Sequence, residues 1–248
     1  MDLSSTQSTS VLAMLALTAL AAGLSRGFSG FGAALIFIPV AARLVGPQLA
    51  SATLPIIDVV LAAPLIKPAW SLASRPAVLL MMFGALVGIP LGTVVLALAD
   101  PLLLRWLIVG LAAAMLLLLL SGWRYHGRPH GSLTVAVGAI SGLFSGIAQI
   151  GGPPVVANWL GGETRADATR ASIILFFAAG NFIGIASYWV GGLMTREVFL
   201  LALVSAPSYG LGLWVGSKLF GHASDATFRR VALGLIALAI ILGLPLWG

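Results

Sequence analysis

GLFSGIAQIGGPP, residues 142–154, is the stretch that decides how this chain folds, and GLSRGFSGFGAA, residues 23–34, is a weaker copy of it. Each stretch interrupts a long apolar run with glycines and a few polar side chains, and residues 142–154 add two prolines. A lipid bilayer tolerates broken backbone only where protein or a water-filled cavity shelters it. One such break in each half of a chain indicates the binding site of a transporter.

The composition predicts an all-α polytopic membrane protein. Of the 248 residues, 60% are hydrophobic and 8% are charged, whereas a soluble domain carries about 25% charged residues. The 13 Lys and Arg residues are scattered, so we interpret them as topology anchors at helix ends and expect no nucleic-acid partner. Residues 1–23 have no Lys or Arg before their apolar core, so we predict a first helix of the fold there and not a signal peptide.

Apolar blocks predict ten segments, five in each half of the chain. They are residues 10–26, 33–45, 50–66, 76–98, 101–121, 132–150, 153–160, 168–189, 197–218 and 226–247, with a polar connection at 67–75. A shift of 119 positions aligns Gly23, Gly27 and Gly32 with Gly142, Gly146 and Gly151. We therefore predict a first transmembrane repeat at 1–121, an inter-repeat cytoplasmic loop at 122–131 and a second transmembrane repeat at 132–248.

An odd number of segments in each half predicts that the two repeats are inverted. With the N-terminus outside, most basic residues fall inside: Lys67, Arg75, Arg124, Arg128, Arg165, Arg170, Lys218, Arg229 and Arg230. Only Arg43, Arg105 and Arg196 fall outside, while Arg26 lies at the first break. Because cytoplasmic loops are enriched in Lys and Arg, we predict that both termini lie on the outer side.

The second and seventh segments are too short to cross a bilayer. At 1.5 Å per residue they span roughly 20 and 12 Å, against a hydrocarbon core of about 30 Å. We therefore predict that each repeat opens with a re-entrant helical hairpin, and that the two glycine-rich vertices meet near the middle of the membrane.

Helices that begin at such vertices direct unpaired N–H groups and the positive end of the helix dipole toward a cavity. Two of them facing each other predict an anion site. Its candidate residues are Arg26, Ser29, Gly30, Gly32, Ser145, Gln149, Gly151, Gly152, Pro153 and Asn158. Arg26 is either a ligand of the anion or a side chain that extends to the membrane interface.

Asp58 is the one acidic residue well inside an apolar segment. An intramembrane carboxylate is costly and indicates function, so we interpret it as either a proton carrier or the ion-pair partner of Arg26. Asn181 is its nearest polar counterpart in the second half, and the alternative is that Asn181 only forms a hydrogen bond between helices.

Several chemistries are not expected. The chain has no cysteine, and its three histidines, His126, His130 and His222, are dispersed, so we predict no metal site and no cofactor. Nucleotide-binding and nucleophile motifs are absent, so we do not expect an enzyme.

With these two motifs the chain resembles the sulfite exporter TauE/SafE family, in which a glycine-rich motif followed by proline occurs once in each half. The chain departs from the motif at Ala33 and Ala34, and at Gln149, which stands where the first half has Gly30. The resemblance implies secondary active transport of small anions (sulfite, thiosulfate or organosulfonates) across a bacterial inner membrane, with proton coupling. Alternatives are transport of a carboxylate, a metal ion or a neutral solute, and a non-transporting membrane scaffold.

Overall fold

The computed structural model describes residues 9–123, 125, 130–159, 166–220 and 225–246, and within those ranges it contains eleven α-helices and no strand. In chain order they are α1 (Thr9–Ser29), α2 (Ala33–Val45), α3 (Pro47–Leu61), α4 (Ala63–Leu72), α5 (Arg75–Leu98), α6 (Pro101–Ser121), α7 (Gly131–Ala148), α8 (Gly152–Trp159), α9 (Ala166–Val190), α10 (Arg196–Leu219) and α11 (Asp225–Gly243). The predicted all-α class is confirmed. Five residues on which predictions rest lie outside the described ranges: Arg124, His126, Arg128, Arg165 and His222.

Six of the described helices are long and apolar enough to cross a membrane: α1, α5, α6, α7, α9 and α10. The bent pair α3–α4 makes a seventh candidate, and α2 is a shorter apolar helix. Large apolar side chains such as Leu79, Phe83 and Leu203 are exposed on the outer faces of these helices. Such surfaces are stable against lipid and not against water, so the protein is a multi-pass membrane protein.

The prediction for residues 50–75 is wrong in one respect. The structure divides the third segment into α3 and α4, which meet at an angle of 68°. Pro64 stands in the first turn of α4, where a proline is tolerated, but it cannot donate the backbone hydrogen bond that would continue α3. Residues 67–72, predicted as part of a polar connection, are consequently the second half of α4.

The two short segments are confirmed as α2, with 13 residues, and α8, with 8. Before α2, Gly30 and Gly32 have φ angles of 81° and 91°, and before α8, Gln149 has a φ of 58°. A left-handed residue ends the preceding helix. We name residues 30–32 the first vertex and residues 149–151 the second vertex. The re-entrant position of these hairpins in a bilayer stays a prediction.

Two close helix pairs, which we name the glycine seams, hold the fold together. One joins α1 to α10 and the other joins α5 to α7. Each glycine in a seam faces the backbone of the partner helix: Gly23 faces Tyr209, Gly27 faces Leu213, Gly84 faces Val135, Gly88 faces Ala139 and Gly92 faces Leu143. The contacts advance in the same direction along both helices, so each pair is parallel.

Each glycine seam connects the first segment of one predicted repeat with the fourth segment of the other. The small residues allow van der Waals contact between backbones, which is the main attraction between helices in lipid. The repeat boundaries at 121 and 132, and the inverted relation of the two repeats, stay predictions.

Candidate functional site

An ion pair lies buried at the end of α1. Arg26 is in the last turn of α1 and Asp58 is in α3, and their exposed fractions are 3% and 6%. Nε of Arg26 donates to Oδ1 of Asp58 at 2.9 Å, and Nη2 donates to Oδ2 at 2.9 Å. Two parallel hydrogen bonds fix the relative orientation of the two groups. Arg26 therefore pairs with Asp58 and does not extend to the membrane interface.

Asp58 accepts two more hydrogen bonds. The hydroxyl of Tyr209 donates to Oδ1 at 2.6 Å, and Nδ2 of Asn181 donates to Oδ2 at 2.8 Å. Arg26 in turn donates through Nη1 to the carbonyl oxygen of Gly30 in the first vertex. These partners offset the cost of removing both charges from water. We name Arg26, Asp58, Asn181 and Tyr209 the ion-pair network.

A cavity of about 40 Å³ lies beside the ion-pair network. The first vertex and the first turn of α2 form one side, and the second vertex and the start of α8 form the other. Since about 10–15 Å³ of such cavity volume is enough to hold one water molecule, the cavity has room for a few water-sized groups. We name it the inner cavity.

The charges around the inner cavity leave it electropositive. Arg26 and Asp58 neutralise each other, and no other charged side chain lines the cavity among the described residues. The N-terminal end of a helix carries about half a positive elementary charge, and both α2 and α8 begin at the cavity. Pro153 and Pro154 have no N–H, so α8 offers fewer donors than α2. The cavity can therefore stabilise an anion without a net charge on its side chains.

Serines of the preceding helix explain why each vertex contains glycine. A Cβ on Gly32 would lie 2.7 Å from Oγ of Ser25, and a Cβ on Gly151 would overlap Oγ of Ser145. Oγ of Ser141 donates to the carbonyl oxygen of Gly151 at 2.6 Å. The two vertices thus need glycine both for a tight approach and, in the first vertex, for a positive φ.

Gln149 is the one residue other than glycine with a positive φ among the described residues. Its Nε2 donates to the hydroxyl oxygen of Tyr188 at 3.1 Å. That hydroxyl donates in turn to the carbonyl oxygens of Ser145 and Gly146 at 3.2 and 2.9 Å. The last carbonyl groups of α7 thereby obtain a donor, and the strained Gln149 is held against the inner cavity.

Near the N-terminal end of α9, Arg170 likewise donates hydrogen bonds to carbonyl groups at the end of α1. Its Nη2 donates to the carbonyl oxygen of Gly27 at 2.5 Å, and its Nε donates to that of Phe28 at 2.9 Å. The guanidinium carbon also lies 4.1 Å from the ring centroid of Phe220. A positive charge at the C-terminal end of a helix is favourable. One helix, α9, therefore supports the ends of both helices that lead into the vertices.

Replacing Arg170 by Met is expected to destabilise the protein by about 2 kcal/mol, because the buried carbonyl groups of Gly27 and Phe28 lose this donor. The measurement is thermal unfolding of the purified protein in detergent. Arg196→Met is the matched control, since Arg196 is exposed at the start of α10 and should change stability by less than about 0.5 kcal/mol. Equal effects of the two substitutions would contradict a supporting role for Arg170.

The inner cavity brings together seven of the twelve candidate residues. These are Arg26, Gly32, Asp58, Gln149, Gly152, Pro153 and Asn181. Gly30 contacts Arg26 of the network through its backbone, accepting from the guanidinium group at its carbonyl oxygen and donating its N–H to the carbonyl oxygen of Arg26. Ser145 and Gly151 pack behind the second vertex. Asn158 is buried in α8, its side-chain amide has no hydrogen-bond partner among the described residues, and it does not line the inner cavity.

The remaining candidate, Ser29, lines a second and larger cavity of about 290 Å³. We name it the outer cavity because it lies farther from the ion-pair network; the name does not refer to a side of the membrane. The outer cavity lies between the ends of α1, α6 and α8 and the side of α11, where Arg229 is its one charged lining residue within the described ranges. The two cavities share three lining residues: Phe31, Gly32 and Pro153.

Sequence reasoning missed Phe31, Phe177 and Tyr209. Phe31 lies in the first glycine-rich motif and Phe177 in an apolar segment, and neither apolar side chain gives a signal of function there. Tyr209 did give a sequence signal, because a hydroxyl group in a buried span needs a hydrogen-bond partner and Asp58 was the available acceptor. Phe177 lies with its ring centroid 5.6 Å from the guanidinium carbon of Arg26.

Comparison with protein families supplies an independent finding. The family model described as "Sulfite exporter TauE/SafE" matches residues 15–243, which include both vertices, both glycine seams and the ion-pair network. A search of curated proteins and a search of solved structures each gave no significant match. The family match covers most of the chain and agrees with the multi-pass helical fold. The chain therefore belongs to the sulfite exporter TauE/SafE family of membrane transport proteins.

Proposed function

We propose that this protein is a secondary active transporter of small, sulfur-containing anions such as sulfite, thiosulfate or an organosulfonate, and that the anion binds in the inner cavity. One observation carries the proposal: the N-terminal ends of α2 and α8 meet at a cavity that also contains the guanidinium group of Arg26. An oxyanion is stabilised by hydrogen bonds from backbone N–H groups at helix N-termini and from the guanidinium group of an arginine. A scaffold has no need of such a site.

The volume of the inner cavity supports alternating access. About 40 Å³ is too little for an organosulfonate, so the site must widen to admit one. Arg26 and Tyr209 belong to the glycine seam of α1 and α10, whereas Gln149 directly follows α7 of the other seam. A small movement of one seam against the other would open the cavity, and each close-packed seam would move as a unit.

The hydrogen bonds that Asp58 accepts support a role for this residue in proton coupling. Protonation of its carboxylate would end the ion pair and free the guanidinium group of Arg26 for the anion, so that proton and anion bind together without a net change of charge. Asp58 faces Arg26 from α1, Tyr209 from α10 and Asn181 from α9. We place the protein in a bacterial inner membrane because of its family, and both termini in the periplasm because of the distribution of basic residues.

The proposal is tested by thermal unfolding of the purified protein with sulfite, thiosulfate, methanesulfonate, acetate, choline and glycerol. A ligand at about 100 times its Kd stabilises by about 2.7 kcal/mol, which raises the Tm by roughly 8 °C for a chain of this size. We expect the sulfur anions to give this rise. Anions that stabilise the protein are then tested for uptake into proteoliposomes. Stabilisation by choline or glycerol alone would overturn the anion assignment in favour of another solute.

A further inference from the structure

Phe31 stands where the two cavities meet. It is the middle residue of the first vertex and lines both the inner and the outer cavity. Of the three shared lining residues, Gly32 has no side chain and Pro153 has a rigid ring. Phe31 is thus the only one of the three whose side chain can rotate to change the opening between them.

Hydrogen bonds from Ser29 fix the backbone of Phe31, and the Phe31 ring packs against the start of α8. Oγ of Ser29 donates to the carbonyl oxygen of Phe31 at 2.9 Å and accepts from its N–H at 3.3 Å. A Cβ placed on Gly152 would lie 3.1 Å from Cδ2 of the ring, so the ring packs directly on the start of α8. The aromatic side chain therefore closes the gap between the two hairpins.

We infer that Phe31 determines the size of the anion that passes between the outer cavity and the inner cavity. This inference rests on the proposed function. The outer cavity, at about 290 Å³, is large enough for an anion with an organic group, whereas the inner cavity, at about 40 Å³, has room for only a few water-sized groups. Passage from one to the other requires the Phe31 ring to move, and a bulkier solute requires a larger movement.

The first test measures uptake of sulfite and of benzenesulfonate into proteoliposomes by the wild type and by Phe31→Ala and Phe31→Trp. We expect Phe31→Ala to raise the ratio of benzenesulfonate to sulfite uptake by about tenfold or more, the range in which pocket size discriminates between substrates. Phe31→Trp should slow both anions. An unchanged ratio in Phe31→Ala, with normal sulfite uptake, overturns the inference and leaves the proposed function intact. No uptake of any anion by the wild type would instead overturn the proposed function.

The second test does not depend on transport. Because the chain contains no cysteine, a single cysteine reports on one position without further substitutions. Leu54→Cys places a thiol in the inner cavity and Leu233→Cys places one in the outer cavity. We expect the anionic thiol reagent methanethiosulfonate ethylsulfonate to react slowly at position 54 and at least about tenfold faster when Phe31→Ala is added, which corresponds to a barrier lower by about 1.4 kcal/mol.

Leu233→Cys is the matched control, because its reaction rate should not depend on residue 31. Equal labelling rates at position 54 with and without Phe31→Ala would contradict the inference. The circular dichroism spectrum and unfolding temperature of each variant establish that it is folded before labelling.

Discussion

Asp58→Asn is expected to lower the Tm by roughly 10 °C in anion-free buffer, and sulfite is expected to restore most of that loss. The substitution leaves the guanidinium group of Arg26 buried without its counter-ion. Removing one partner of a buried ion pair costs about 3–5 kcal/mol, and 1 kcal/mol corresponds to roughly 2–4 °C in a chain of this size. A bound anion would replace the lost carboxylate, so sulfite should stabilise this variant more than it stabilises the wild type.

Asp100→Asn is the control with the same chemical change. Asp100 caps the N-terminal end of α6 by accepting from the N–H groups of Leu102 and Leu103, and asparagine caps helices about as well, so we expect a difference below about 0.5 kcal/mol. A sulfite effect of equal size in Asp58→Asn and the wild type would contradict anion binding at Arg26. If uptake by Asp58→Asn keeps the pH dependence of the wild type, Asp58 does not couple protons.

A double variant separates stability from transport. Arg26→Met together with Asp58→Leu removes both charges, and apolar replacement of a buried ion pair is often neutral or stabilising. Here the hydroxyl of Tyr209 and the amide of Asn181 also lose their acceptor, so we expect the protein to fold with a Tm lower than that of the wild type. It should show no stabilisation by sulfite and no uptake. Stabilisation by sulfite at the wild-type level would mean that the anion binds elsewhere.

The second large effect is expected at the glycine seams. Gly88→Ala and Gly23→Ala, one in each seam, should each destabilise the protein by about 3 kcal/mol, at the upper end of the cost of overpacking. A Cβ at Gly88 would overlap the carbonyl oxygen of Ala139, and one at Gly23 would overlap that of Tyr209. Backbone atoms of a neighbouring helix cannot move aside as a flexible side chain can, so the two helices must separate.

Gly110→Ala is the control for the seams. A Cβ at Gly110, in α6, would have no atom within 4 Å, so the substitution should be neutral or stabilise by up to about 1 kcal/mol through better helix propensity. Thermal unfolding in detergent measures all three variants. Equal stability of Gly88→Ala and Gly110→Ala would mean that α5 and α7 do not pack through this seam.

Most of the helices followed from the sequence because the signals are local. The apolar blocks predicted the spans, and the glycines of the two motifs predicted the short helices α2 and α8, since glycine permits positive φ wherever it occurs. The exception is the division of α3 from α4. Prolines also stand inside α2, α3 and α5, so a proline alone did not show that residues 62–64 would be the bend.

The site was predicted less completely than the fold. Arg26, Asp58 and Asn181 were conspicuous because polar groups in an apolar segment are costly. The pairing of Arg26 with Asp58 was one of two interpretations of the sequence, and the structure shows it. The contacts that Asn181, Tyr209 and Phe31 make at the site were not predicted. Ser29 and Asn158 were expected in the same place and lie elsewhere, because their positions on the helices turn them away from the inner cavity.

The local sequence thus determined that helices break at the two glycine-rich motifs, that the protein lies in a membrane and that two helix ends carry unpaired N–H groups. These properties depend on residues within a turn or two of one another. The tertiary structure decided which polar groups meet: Tyr209 with Asp58 across 151 positions, and Arg170 with Gly27 across 143. Such contacts depend on how each helix is rotated and placed against its neighbours. Close packing of glycine against backbone in the two seams sets that arrangement, and it brings the start of α8 against Phe31 in the first vertex.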